Sequence, residues 1–130
     1  MSLTIDVIQD QPHCVFEVSG MYDLGEAVDR FEVVLAACKA SGGRKVLIDY
    51  RKVVGDVAAV EKIIYTFGVA EQYEKYRRSG GRPLRVAYLA PAEQRGDYEP
   101  FRDVARVLRL PFILCVDRNE ALSWLEKDDG

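Results

Sequence analysis

The chain has 130 residues, of which 48% are hydrophobic and 30% charged, and its formal net charge is -3. That composition excludes disorder and fits a globular chain with a single core, and its acidic balance excludes a surface built to wrap nucleic acid. No apolar run approaches the roughly 18 residues of a membrane span. The opening MSLTIDVIQD lacks the basic and apolar regions of a signal peptide, so a cytoplasmic protein is expected.

Leu3, Ile5 and Val7 alternate with Thr4 and Asp6, which predicts a strand covered on one face. A turn over Gln9 to Pro12 leads into a second alternating run, with Cys14, Phe16 and Val18 on one side. The short connection predicts an antiparallel hairpin. Asp23, with Glu26 three residues on, has the spacing of a capping box. Leu24, Ala27, Val28, Phe31, Leu35 and Cys38 then form one helical stripe, and Gly42-Gly43 supplies a left-handed end.

The stretch RKVLIDYRKVVGD, Arg44 to Asp56, holds a central strand over Lys45 to Asp49, a turn at Gly55 and a helix cap at Asp56. Gly55 is expected in a backbone conformation that other residues disfavour. The second helix is predicted from Asp56 to about Arg78, with Val57, Val60, Ile63, Ile64, Phe67 and Ala70 as its core stripe. Lys75, Arg77 and Arg78 complement the dipole in its last turn. Leu84 to Leu89 reads as a strand, Ala92 to Tyr98 as a polar loop, and Glu99 to Leu110 as a helix with Phe101, Val104, Ala105 and Leu108 inward. Phe112 to Val116 is a short apolar strand. Asp117 caps a last helix, with Glu120 at the capping-box position and Ala121, Leu122, Trp124 and Leu125 packed down. Lys127 to Gly130 is a frayed tail.

The order is strand, strand, helix, strand, helix, strand, helix, strand, helix. It predicts an α/β fold in a single domain over residues 1–130: a mostly parallel five-stranded sheet with an antiparallel N-terminal edge strand and four helices.

Motifs for chemistry are few. His13 is the only histidine, which excludes a multi-histidine metal site, and it reads as an edge histidine. Cys14, Cys38 and Cys115 are far apart without C-x-x-C spacing, so buried thiols in a reducing compartment are expected, with no metal. Gly42-Gly43 and Gly80-Gly81 follow helices rather than strands, the reverse of a phosphate-cradling loop. Arg102, Arg106 and Arg109, with Arg95 before them, favour a solvated helix face over an anion site. No nucleophile–base pair is visible, so neither an enzyme nor a cofactor is expected.

Two binding surfaces stand out. One is a rim of Tyr22, Asp23, Asp49, Tyr50, Arg51, Gly55 and Asp56, with Asp117 beside it, at the C-terminal ends of the strands where open parallel sheets bind ligands. The other is a second apolar stripe on the second helix, Ala58, Tyr65, Val69, Tyr73 and Tyr76. It lies nearly opposite the core stripe and is expected to contact a partner or a second copy in a homodimer.

A strand hairpin, a helix opening near Gly20-Met21-Tyr22-Asp23, a strand ending Leu47-Ile48-Asp49 before a glycine-marked helix start, and the closing Glu120-Ala121-Leu122-Ser123-Trp124-Leu125 together resemble a STAS domain, and most of all the SpoIIAA-like (STAS/CRAL-TRIO-type) bacterial proteins. The resemblance covers nearly the whole chain. It implies helices stacked mainly on one side of the sheet and a regulatory, protein-binding role. The family's antagonists carry a phosphorylated Ser or Thr at the start of the second helix. The matching corner here, Val54-Gly55-Asp56-Val57, has no hydroxyl. The leading expectation is a cytosolic module acting through protein contact without that switch. The alternative is a carrier or sensor of a small apolar or lipid-like ligand, which needs a cavity of several hundred Å³.

Overall fold

A computed structural model describes residues 3–9, 13–91 and 98–127. The turn expected over residues 10–12, the loop residues 92–97 with Arg95, and residues 128–130 of the tail lie outside the described residues. Nine elements follow in order: β1 (Leu3–Gln9), β2 (Cys14–Met21), α1 (Leu24–Ser41), β3 (Lys45–Val54), α2 (Ala59–Arg78), β4 (Arg85–Leu89), α3 (Glu99–Val107), β5 (Phe112–Cys115) and α4 (Arg118–Glu126).

The strands form one sheet in the order β1-β2-β3-β4-β5. β1 is antiparallel to β2 and every other pair is parallel, as the element order predicts. Because successive crossovers step in one direction, a common handedness places α1, α2 and α3 on one face. That face buries Phe16, Val18, Val46, Ile48, Val86 and Tyr88 beneath the three helices. The opposite face, with Leu47, Ala87, Leu89 and Cys115, is covered by Ala121 and Leu125 of α4. Central strands buried on both faces read as continuous apolar runs, which is why Val46-Leu47-Ile48 shows no alternation.

Local signals hold the ends. Asp23 accepts the Glu26 N–H at 3.5 Å, while the Glu26 carboxylate turns to the Leu3 N–H at 3.0 Å instead of back to the cap. Arg30 Nε donates to the Leu3 carbonyl at 3.2 Å. At the other end of the sheet, Arg102 donates to the Leu114 carbonyl of β5 at 3.0 Å. Side chains thus occupy backbone groups on both edge strands, where open groups would recruit another strand. Gly42 ends α1 with φ 77°. Asp117 caps α4 by accepting the Asn119 N–H at 3.1 Å. α4 is tied down at its far end by His13, whose Nε2 lies 2.6 Å from Glu126 Oε1, and by Arg85, which stacks on Trp124 and donates to its carbonyl at 2.6 Å. His13, expected as an edge histidine, is therefore a buried anchor.

Three expectations about helices are corrected. α2 starts at Ala59, and Asp56 does not cap it. Asp56 is exposed, and the Ala58 N–H is instead satisfied by the Glu61 carboxylate at 3.2 Å, half of a capping box. α3 ends at Val107, earlier than expected, because Arg109 takes the left-handed position (φ 57°) and the Leu110 N–H closes on the Ala105 carbonyl at 2.9 Å; Leu108 is exposed rather than inward.

The largest correction is the rotation of α2. Val60, Ile64 and Phe67, expected in the core, are 58%, 50% and 53% exposed. The stripe expected to meet a partner, Tyr65, Val69 and Tyr76 with half-buried Tyr73, packs inside the chain; Ala58 is exposed at the helix start. Tyrosines bury large areas once their hydroxyls find partners. Tyr65 Oη pairs with Tyr88 Oη at 2.9 Å, and Tyr73 Oη accepts the Leu84 N–H at 3.1 Å. Thr66, fully buried, donates to the Lys62 carbonyl at 2.7 Å. Gly68 lets α1 approach, since a Cβ there would sit 3.1 Å from Val28.

Candidate functional site: a tyrosine-walled pocket at the strand ends

β3 is ten residues long and β4 only five, so β3 pairs with β4 through Asp49 and then continues with β2 alone as far as Val54. The unmatched length of β3 walls a pocket over the end of β4. Tyr22 closes one side, where its N–H extends the ladder to the Val54 carbonyl at 2.9 Å. Lys62 and Tyr65 of α2 and Phe101 of α3 form the helix side, and Tyr50 and Tyr88 form the floor. The cavity volume is about 70 Å³, and the pocket opens to solvent at its mouth.

Gly55 makes the corner. Its φ is 109°, as expected for a residue that only glycine suits, and a Cβ there would lie 3.0 Å from Met21 Sδ. Gly55→Ala is expected to cost about 1–2 kcal/mol, whereas Asp56→Ala, with no cap to lose, is expected to stay within about 0.5 kcal/mol. Urea midpoints of the two variants check the pair. A larger loss at Asp56 than at Gly55 would restore Asp56 as the cap.

The proposed rim divides between two faces. Successive strand residues point to opposite sides, so Tyr50 enters the pocket while Asp49 and Arg51 lie on the α4 side. There Arg51 binds Asp49 through Nε at 3.0 Å and Nη2 at 2.8 Å, and its N–H donates to the same carboxylate at 2.9 Å. Burial alone would raise the Asp49 carboxyl, but these Arg51 contacts hold it below the usual carboxylate value. Of the residues expected on one rim, Tyr22, Tyr50 and Gly55 line the pocket. Asp49, Arg51, Asp23 and Asp56 do not; Asp23 caps α1 and Asp117 caps α4. Reading the strand's period through Asp49-Tyr50-Arg51 would have separated them. Lys62, Tyr88 and Phe101 were missed because they come from three elements distant in sequence.

Four of the pocket's phenols, Tyr22, Tyr50, Tyr65 and Tyr88, are held in the protonated form. Burial pushes the Tyr50 hydroxyl up to about 12, against a smaller opposing effect of the Tyr65 hydrogen bond. Burial also raises Tyr65 and Tyr88 well above the usual phenol value, with Tyr50 and Tyr88 adding to the rise at Tyr65, and Tyr50 adding while the Tyr65 hydrogen bond opposes it at Tyr88. Tyr22 is raised by burial and by Tyr50, Glu61 and Asp23. The Lys62 ammonium lies 4.9 Å from the centre of the Tyr98 ring. The thiols lie elsewhere: burial pushes Cys38 up to about 12, with Cys14 beside it, and Cys115 to about 11, with Glu120 beside it. Such thiols make poor nucleophiles. Among the described residues no group of His, Cys, Asp and Glu side chains is placed to hold a metal ion, and no helix is long and apolar enough to cross a membrane.

The architecture is the SpoIIAA-like α/β fold, and two solved structures share it. An anti-sigma factor antagonist from Mycobacterium paratuberculosis superposes with a TM-score of 0.61 at 20% identity, over 97% of this chain and 96% of its own. An uncharacterised protein with a SpoIIAA-like fold from Shewanella loihica superposes with a TM-score of 0.51 at 17% identity, over 95% of this chain and 94% of its own. No protein-family model and no curated protein sequence matches the chain.

Proposed function

We propose that this chain is a single-domain, non-catalytic regulatory module of the cytoplasm that acts by protein contact, and that the contact face is the outward side of α2. One observation carries the reading: Val60, Ile64 and Phe67 stand half-exposed in a row along one helix face. Phe67 continues into a groove shared with Leu108 and bordered by Glu71, Glu74, Lys75 and Arg109. An apolar centre with a mixed-charge border is the anatomy of a protein interface. The name of the Mycobacterium paratuberculosis protein points the same way. The corner before α2 offers no serine or threonine to phosphorylate, and the first one along the helix, Thr66, is fully buried. The module would therefore act without a phosphorylation switch at that position.

A lipid carrier is the weaker reading, because the tyrosine pocket, at about 70 Å³, is far below the roughly 300 Å³ or more of a carrier's pocket, and the roomier groove beside Phe67 is open and lined largely by charged side chains. The test compares wild type with Ile64→Glu/Phe67→Glu in sedimentation and in affinity capture from its own host. A homodimer or a captured protein lost in the folded double variant supports the α2 face. Identical sedimentation and capture would remove it, and a small apolar molecule found by native mass spectrometry would revive the carrier.

A further inference from the structure

α2 outlasts its neighbour. It runs for 20 residues, while α3, packed beside it, has 9 and stops at Val107. Past that stop the chain turns through Leu108, Arg109 and Leu110 toward β5, and a groove opens between this turn and the second half of α2. Phe67, Tyr73, Leu108 and Leu110 give it apolar walls. Its volume is about 650 Å³ with a wide opening to solvent, so it has room for several side chains but does not enclose a small molecule. None of the described lining residues belongs to a strand, so an extended peptide finds no sheet edge to pair with. The groove suits a helix instead. From Phe67 to Arg78 its α2 wall is about 17 Å long, roughly three turns of such a helix.

The turn holds the one non-glycine residue with positive φ among the described residues, Arg109 at 57°. The Leu110 N–H reaches the Ala105 carbonyl at 2.9 Å and the Arg109 N–H reaches the Arg106 carbonyl at 3.1 Å. Glycine serves the left-handed position of this bonding pattern best, and arginine carries a Cβ into a region that disfavours it. A strained residue that persists points to a use for its side chain, and Arg109 borders the groove. The rest of the border agrees with its charge. Lys75, Arg77, Arg78 and Arg109 outnumber Glu71 and Glu74, in a chain whose net charge is -3. Glu74 is already paired with Arg78 at 3.6 Å. The local field therefore favours carboxylates over ammonium groups.

We propose that this groove takes an acidic amphipathic helix of a partner protein, its apolar residues on Phe67, Leu108 and Leu110 and its carboxylates on Lys75 and Arg109. The proposal rests on the reading of α2 as the contact face and adds the chemistry of the partner.

The test is an NMR titration of the full chain with a synthetic helical peptide of about 15 residues. The peptide carries leucine at i, i+3, i+4 and i+7 with glutamate and alanine elsewhere, and its twin carries lysine for every glutamate. The glutamate peptide is expected to shift the amide resonances of Phe67, Leu108 and Leu110 and to bind roughly tenfold more tightly than the lysine peptide, with added salt narrowing the gap. Arg109→Gly is expected to raise the urea midpoint by relieving the turn, yet to weaken the glutamate peptide about threefold. Lys75→Gln is expected to weaken it to a similar extent and leave the midpoint nearly unchanged. Equal binding of the two peptides, binding of neither at millimolar concentration, shifts confined to other surfaces, or a folded Arg109→Gly that binds as tightly as the wild type would each overturn the proposal. If Arg109→Gly does not fold, Lys75→Gln carries the comparison. Capture from the host with Ile64→Glu/Phe67→Glu reports on the α2 face separately. A partner lost there, with no preference between the two peptides, would leave the α2 face standing and remove the acidic helix alone.

Discussion

Val69→Glu is expected to unfold this protein or to leave it barely stable. Val69 has no exposed surface and sits in the core between α2 and the sheet. A carboxylate placed there loses its water to an apolar core. It must either protonate or force water into the core, and an unpaired buried charge belongs to the class of changes that exceed about 4 kcal/mol. Against a typical total of roughly 5–15 kcal/mol, that is a large share of the whole. The matched control is Ile64→Glu, on the opposite side of the same helix and half-exposed, which is expected to change stability by less than about 0.5 kcal/mol. Urea unfolding followed by far-UV circular dichroism reads both. Similar losses at the two sites, or the larger loss at Ile64, would mean that α2 is turned the other way and that the tyrosine stripe is the outer one.

The second large effect is expected at Phe31, which is 2% exposed on the sheet-facing side of α1. Its ring lies 5.7 Å from that of Phe112 on β5, and Phe112 in turn contacts Tyr73 and Tyr88 at 6.0 and 5.9 Å. Phe31 thus joins α1 to a cluster of aromatic rings from α2, β4 and β5. Truncation removes the transfer free energy of the ring and leaves a cavity that its rigid aromatic neighbours fill poorly, so Phe31→Ala is expected to cost about 3–5 kcal/mol. Phe31→Leu keeps most of the volume and should recover much of that loss. Thermal unfolding of the two variants checks the ordering. A loss of under about 1 kcal/mol for Phe31→Ala would show that the ring cluster does not depend on α1.

The elements, their order and the parallel sheet with its antiparallel edge were legible in the amino-acid sequence. These rest on local signals: the alternation of Leu3, Ile5 and Val7, the helical stripe from Ala27 to Cys38, the left-handed glycines at Gly42 and Gly55, and crossovers too long for antiparallel neighbours. It also marked Tyr22 and Tyr50 as meeting at the strand ends, because parallel strands deliver their C-termini to one side. Which side of α2 faces inward depends on packing between distant segments. Both stripes of that helix have the right period, and periodicity sets spacing but not phase. Hydropathy favours Val60, Ile64 and Phe67 for the core, yet Tyr65 and Tyr73 bury because Tyr88 Oη and the Leu84 N–H, remote in sequence, wait for their hydroxyls. The start of α2 was decided in the same way. An aspartate after a turn reads as a cap, but the backbone leaves Gly55 in a direction that places Ala58 at the cap position, and Glu61 reaches back to it. The pocket, too, comes from assembly, since it exists where β3 outlasts β4, and its lining residues lie on different elements of the chain.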